Sequence, residues 1–220
     1  MIWSAFKLSL LVVSIATVVV GVVGLAFAFL LAKRNFRGKE LLDAVLTVPL
    51  VLPPTVTGYY LIVLLGRRGL IGNYVYDLTG WSVTFTWLGA VVAAVVVALP
   101  LMIKASRASI ESVNPQYETA SYVLGKSRLE TFFRITLPLA RRGILAGLIL
   151  SFARALGEFG ATLMIAGNIP GRTQTMPLAI YEAVASGDNE QAGLLALILT
   201  VVSVAAVYLT NRLSRSQAYG

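Results

Sequence analysis

The sequence predicts an all-α fold, a bundle of helices that crosses a lipid bilayer several times, and three observations predict it. Hydrophobic residues make up 57% of the 220 and charged residues only 13%, with mean hydropathy +0.81, which leaves too little polar side chain to coat a water-soluble globule. The apolar residues fall into five runs, at approximately 8–32, 41–65, 85–103, 143–166 and 193–213. A bilayer core about 30 Å thick takes roughly 20 apolar residues as helix, because only helices and closed barrels satisfy every backbone group in lipid. None of the runs alternates polar and apolar residues as a barrel strand does.

The first run is too long for the apolar core of a secretory signal, and its basic cluster follows it rather than precedes it, so it reads as a retained span. The second contains Pro49, Pro53 and Pro54. A proline removes a helical hydrogen bond and clashes with the preceding turn, so a kink or break is expected there. Lipid tolerates freed carbonyls only where protein or a watery cavity covers them, which turns this run toward the bundle interior. The fourth run carries glycines at packing distance, Gly143 with Gly147 and Gly157 with Gly160, which predicts close helix contact along it. It also carries Arg154 and Glu158, four residues apart. An unpaired charge inside a membrane is costly, so the two are expected to partner each other or polar groups of a neighbouring span.

Lys and Arg collect on the cytoplasmic side of membrane proteins. With the N-terminus outside and the C-terminus inside, the inner loops hold Lys33, Arg34, Arg37, Lys39, Lys104, Arg107, Lys126, Arg128, Arg134, Arg141, Arg142, Arg212 and Arg215, against Lys7, Arg67, Arg68 and Arg172 outside. This bias explains the net charge of +8 as a topology signal, with no need of nucleic acid as a partner. The two outer loops, 66–84 and 167–192, are long enough to meet another protein, and Arg67, Arg68 and Arg172 are candidates for docking one or for guiding an anion inward. Histidine and cysteine are both absent, which removes imidazole bases, thiol nucleophiles, disulfides and the usual zinc ligands, so this chain is expected neither to catalyse a reaction nor to bind a metal.

The longest polar interval on the inner side, 107–142, has the most specific pattern in the chain. It reads Tyr117-Glu118-Thr119-Ala120, then Gly125, then Ile135, Leu137 and Pro138, with Leu129, Phe132 and Phe133 at helical offsets. A short amphipathic helix, a turn at Gly125 and a second short helix are expected. The nearby Gly125-Lys126-Ser127 imitates the end of a phosphate-binding loop, but the required earlier glycine is Ala120 and no strand precedes it, so ATP must be hydrolysed elsewhere.

This interval resembles the Glu-Ala-Ala loop of ABC importer permeases, where a glycine is followed after nine residues by Ile-x-Leu-Pro. Gly125, Ile135, Leu137 and Pro138 match in residue and spacing, while the Glu-Ala-Ala triplet falls on Thr119, Ala120 and Ser121, with Glu118 one place early. Two further stretches, Val48 to Tyr59 with the Gly66-Arg67-Arg68-Gly69 tail and Phe152 to Ala161 continuing to Asn168 and Thr175, are similar to the molybdate permease family across nearly the whole chain. Sulfate and tungstate permeases share the Arg-Ala-x-Gly-Glu-Phe-Gly-Ala theme.

The resemblance implies a type I ABC importer permease fold with five core spans, one transmembrane domain over 1–220, set in the cytoplasmic membrane of a prokaryote. It implies a second copy of the chain completing the pore, two ABC ATPase subunits that bind ATP and Mg, and an extracytoplasmic molybdate-binding protein. Glu118, Thr119, Ala120, Gly125, Ile135, Leu137 and Pro138 would form the coupling segment that enters a groove of the ATPase. Arg154, Glu158, Pro53 and Pro54 would lie near the translocation path. The rivals are a sulfate or tungstate permease and, from another class, a membrane scaffold or sensor that transports nothing and has no evident use for charges within a span.

Overall fold

The computed structural model describes the backbone of residues 2–216 and the side chains of residues 2–208; Arg212 and Arg215, counted above for orientation, lie outside the described side chains. The described residues form helices and connecting turns, with no strand. In chain order the helices are α1 (Ile2–Lys33), α2 (Lys39–Val51), α3 (Pro54–Leu65), α4 (Gly72–Thr79), α5 (Trp87–Glu111), α6 (Pro115–Val123), α7 (Arg128–Thr131), α8 (Leu137–Leu156), α9 (Gly160–Ala166), α10 (Met176–Ala185) and α11 (Asn189–Ser216). α1, α5, the rod from Arg128 to Leu156, and α11 are each long and apolar enough to cross a bilayer, and the bent pair α2 and α3 supplies the fifth crossing when counted as one.

The core is a three-helix stack in which α5 lies against both α1 and α8. Small residues set the spacing: a Cβ on Gly24 would stand 2.6 Å from Met102 of α5, and on Gly147 2.9 Å from the Cβ of Ala105. Gly143 meets Ser109 in the same way, so the glycine pair 143/147 is the α8 face that the sequence marks for close approach. Around these contacts Val13, Ala16, Val20, Ala94, Val97, Met102 and Ile110 are buried. A satellite cluster of Ala5, Met176, Ala179 and Leu195 joins α1 to α10 and α11, and the Ser9 hydroxyl accepts from the Met176 backbone N–H at 2.7 Å.

Three boundaries differ from the sequence reading, each for a local reason. α5 runs on to Glu111 instead of ending near 103, because its charges are paired along the way: Asp43 of α2 takes Lys104 at 2.8 Å and Arg107 at 3.0 Å, and Arg107 also takes Glu111. The second short helix after Gly125 is no separate element but the first turn of the α8 rod. It starts at Arg128, passes through a π turn over Phe132–Thr136, where the Leu137 N–H bonds the Phe132 carbonyl, and continues as α8. Pro138 explains the widening, since it has no N–H to offer the preceding turn and its ring crowds it. The run at 143–166 is likewise two helices, because α8 stops at Leu156 and α9 begins only at Gly160.

The expected break in the second run lies at Leu52–Pro53, where the helix axes turn by 120°. Leu52 is pushed into extended geometry (φ −71°, ψ 144°) by the proline that follows it, and Pro54 opens α3 at a position that needs no N–H. Pro49 stays inside α2.

Candidate coupling helix and paired helix breaks

α6 projects from one end of the bundle, beyond the C-terminus of α5. The Asn114 side chain caps it by accepting from the Gln116 N–H at 2.9 Å, and Pro115 occupies its first turn. Gly125 ends it with φ +77°, a left-handed turn that glycine adopts without strain. Ser127 and Glu130 then form a reciprocal capping box that starts the α8 rod.

The two faces of α6 differ in kind. The inward face carries Glu118, 9% exposed, whose carboxylate accepts from Lys33 Nζ at 2.8 Å and from the Thr136 hydroxyl at 2.5 Å. Ser121 adds a hydroxyl pair with Thr131 at 2.9 Å. Glu118 therefore ties α6 to the end of α1 and to the π turn. The outward face presents Gln116, Thr119, Ala120, Val123 and Leu124 around an open hollow of about 550 Å³, with Val123 82% and Leu124 79% exposed. Tyr117, Leu129 and Phe133 are exposed as well, while Phe132 is buried against Phe29 with ring centroids 4.4 Å apart.

Of the residues singled out for coupling, the structure places Thr119 and Ala120 on the open face, Glu118 beneath it, and Gly125 in the turn. Ile135 and Leu137 are half-buried and Pro138 exposed, all in or beside the π turn, where they shape the rod and lie off the hollow. Sequence reasoning missed Val123 and Leu124, although their offset of three and four from Ala120 is the helical signal for a shared face. It also missed Lys33 and Thr136 as partners of Glu118, which sit 85 and 18 residues away.

At the level of the two helix breaks, Arg154 and Glu158 do pair, Nη1 standing 2.8 Å from Oε2 in a charge contact without hydrogen-bond alignment. They do not share a helix face, because the helix ends between them. Glu158 lies in the gap between α8 and α9, is 3% exposed, and caps α9 by accepting from the Ala161 N–H at 2.8 Å. The α2/α3 break sits beside this gap: a Cβ on Gly160 would stand 3.1 Å from Pro54 and 3.2 Å from the Thr55 nitrogen, and one on Gly58 2.8 Å from the Ala161 Cα. Gly160 is thus a contact glycine, whereas Gly157 is exposed at the break, where a Cβ would meet only the Ala153 carbonyl of its own helix, at 3.8 Å. The α2/α3 break at Pro53 and Pro54 thus lies against the start of α9, next to the gap that holds Glu158 and its partner Arg154.

At the end of the bundle away from α6, Arg67 lies over the Tyr76 ring at 5.2 Å, and Arg67 and Arg68 border a hollow of about 560 Å³ with Ile62, Val63, Thr84 and Phe85. The Gly-Arg-Arg-Gly turn is tight, a Cβ on Gly69 falling 2.6 Å from the Val63 carbonyl. Arg172 is exposed on the other loop and does not line this hollow. Neither loop is a loose docking arm. The first contains α4. The second contains α10 and a buried polar turn, Thr173 to Thr175, whose Gln174 donates to Glu182 at 2.5 Å, as does Asn168 from ahead of the turn at 2.8 Å.

The family described as binding-protein-dependent transport system inner membrane component matches residues 7–217. The chain belongs to that family. It is a multi-pass protein of the cytoplasmic membrane. Among its relatives is the molybdenum transport system permease protein ModB of Escherichia coli (strain K12), 44% identical over 220 residues, which cover 98% of this chain and 96% of that one. The sulfate transport system permease protein CysT of Salmonella typhimurium is 35% identical over 212 residues, 96% of this chain and 76% of that one. Among solved structures, a bacterial ABC transporter involved in the import of the acidic polysaccharide alginate superposes with a TM-score of 0.78 at 16% identity, covering 97% of this chain and 78% of that one, which places the fold among type I ABC importer permeases.

Proposed function

We propose that the chain is the membrane-spanning permease subunit of an ATP-driven ABC importer for molybdate. The observation that carries this reading is α6: an amphipathic helix at one end of the bundle, anchored from beneath through Glu118 and presenting Val123 and Leu124 with no partner. Such a face suits insertion into a groove of an ATPase subunit. End-to-end similarity to a molybdenum permease supports the choice of substrate.

In this reading two copies of the chain form the pore, two ATPase subunits bind ATP and Mg and seat the α6 helices, and an extracytoplasmic binding protein delivers the oxyanion near Arg67, Arg68 and Arg172. The α6 end faces the cytoplasm, with the N-terminus outside and the C-terminus inside. The chain itself needs no cofactor and catalyses nothing. Movement imposed on α6 passes through the Gly125 turn into the continuous rod from Arg128 to Leu156, whose far end is the Arg154–Glu158 gap beside Pro53 and Pro54. A packed rod delivers a displacement to its end, and the two breaks are where the bundle has fewest helical hydrogen bonds to resist it.

The test is uptake by vesicles containing the chain with its co-encoded ATPase and binding protein. ATP-dependent molybdate uptake that excess sulfate does not suppress is expected. Equal suppression by sulfate at equimolar concentration reassigns the substrate toward the sulfate permeases the chain also resembles, and stimulation of ATPase activity without uptake of any oxyanion makes the chain a scaffold.

A further inference from the structure

We propose that the chain carries a binding site for a phosphate-class anion, of the kind an anionic phospholipid headgroup presents, between the end of α1 and the inward face of α6. A cavity of about 210 Å³ opens there, large enough for a phosphate group and its first water molecules, with Lys33, Arg34 and Arg128 at its rim, Tyr122 beside them, and Phe29 and Phe132 at its floor. Glu118 supplies the only carboxylate among the lining residues, and Lys33 and Thr136 already engage it.

That leaves a local surplus of positive charge. Arg34 and Arg128 are exposed, and their guanidinium groups make no hydrogen bond or ion pair among the described residues. They come from distant parts of the sequence, one just past the end of α1 and one at the start of the α8 rod, so the fold has brought two unpaired guanidinium groups to one cavity. Guanidinium groups bind phosphate oxygens through paired N–H donors, and clusters of Lys and Arg at the membrane edge of a helix recognise anionic headgroups. The aromatic floor favours a lipid source over a free ion, because a charged rim above apolar rings matches a headgroup joined to its glycerol and acyl chains.

The site uses a different side of α6 from the open hollow. Glu118 and Tyr122 face the cavity, whereas Gln116, Thr119, Ala120, Val123 and Leu124 face the other way. An anion and a protein partner therefore have separate places on one nine-residue helix. Lys33 is shared between Glu118 and the cavity, so an occupying anion competes with Glu118 for it and bears directly on how α6 is tethered. The inference does not depend on which oxyanion is transported.

The experiment uses the full chain purified in detergent micelles, with retained lipid counted by native mass spectrometry during titration with phosphatidylglycerol or phosphatidylcholine, and inorganic phosphate titrated separately. Phosphatidylglycerol is expected to saturate and phosphatidylcholine not. The double variant Arg34→Gln/Arg128→Gln is expected to weaken phosphatidylglycerol retention roughly 25-fold, about fivefold for each cation at a membrane surface. Lys126→Gln/Arg134→Gln removes the same number of cations from the same end of the bundle but outside the cavity, where both face Glu130, and is expected to change retention far less than the first pair. Phosphate that displaces phosphatidylglycerol at micromolar concentration upholds the anion site but makes free oxyanion its ligand; phosphate without effect upholds the headgroup. Equal weakening in both double variants, or none in the first, overturns the proposal.

Discussion

Two buried glutamates in distant regions of the molecule solve the same problem differently. Glu118 under α6 and Glu158 in the gap after α8 each take one cation and one neutral donor: Lys33 and the Thr136 hydroxyl for the first, Arg154 and the Ala161 N–H for the second. The partners of Glu158 lie within four residues of it, so that cluster organises only its own break. Those of Glu118 come from two other elements, so that cluster fixes one part of the molecule against another. The first is a joint between elements and the second a local cap, and the two should respond to substitution accordingly.

The sharpest way to break the comparison is at Glu158. Glu158→Leu strands Arg154 within the bundle and uncaps α9, and it is expected to lower stability by about 3 kcal/mol, measured by denaturant unfolding in micelles. Arg154→Leu/Glu158→Leu should recover most of that loss, since an ion pair replaced as a whole by apolar side chains is often nearly neutral. A double variant as unstable as the single would give Glu158 a role beyond pairing and capping. On the other side, Leu124→Glu alters no internal contact and should leave stability within about 0.5 kcal/mol, yet weaken association with the ATPase subunit by about 2 kcal/mol, read as a shift in Kd.

Glu118→Gln sharpens the comparison further. It keeps the shape but loses the charge toward Lys33, and about 1 kcal/mol of stability is expected to go with it. Because the joint spans elements, ATP-driven uptake should fall more than stability does, and an equal fall in both would reduce Glu118 to a structural residue. The smallest effect belongs to Asp43→Asn. Its pairs with Lys104 and Arg107 are partly exposed, and the loss should stay below about 1 kcal/mol in the same unfolding measurement.

The contrast between near and far partners also marks what the sequence makes legible. The bundle, the proline break at Leu52–Pro53 and the turn at Gly125 follow from composition and from residues that restrict their own backbone. The pairing of Arg154 with Glu158 follows from spacing. The helix end between them does not, because a carboxylate four residues past an arginine reads equally well as a continuing helix face. The extension of α5 past Lys104 is hidden for a related reason: its charges look like the edge of a span until Asp43, 61 residues away, is seen to neutralise them. Arg67, Arg68 and Arg172 look alike in sequence, but the fold gives only the first two a common hollow. The buried polar turn at Thr173–Thr175 reads as an open loop, since nothing local announces that Glu182 will accept from the Gln174 amide.

The central claim is that the outward face of α6 seats the ATPase subunit, and the chain's lack of cysteine makes it directly testable. Leu124→Cys and, as a control at the opposite end, Leu78→Cys, which replaces a residue 86% exposed on α4, are each reacted with a maleimide before and after assembly with the ATPase. Both should react in the chain alone, and on assembly only Leu124→Cys should become protected. Undiminished reactivity at Leu124→Cys in a complex shown to be intact would contradict the account.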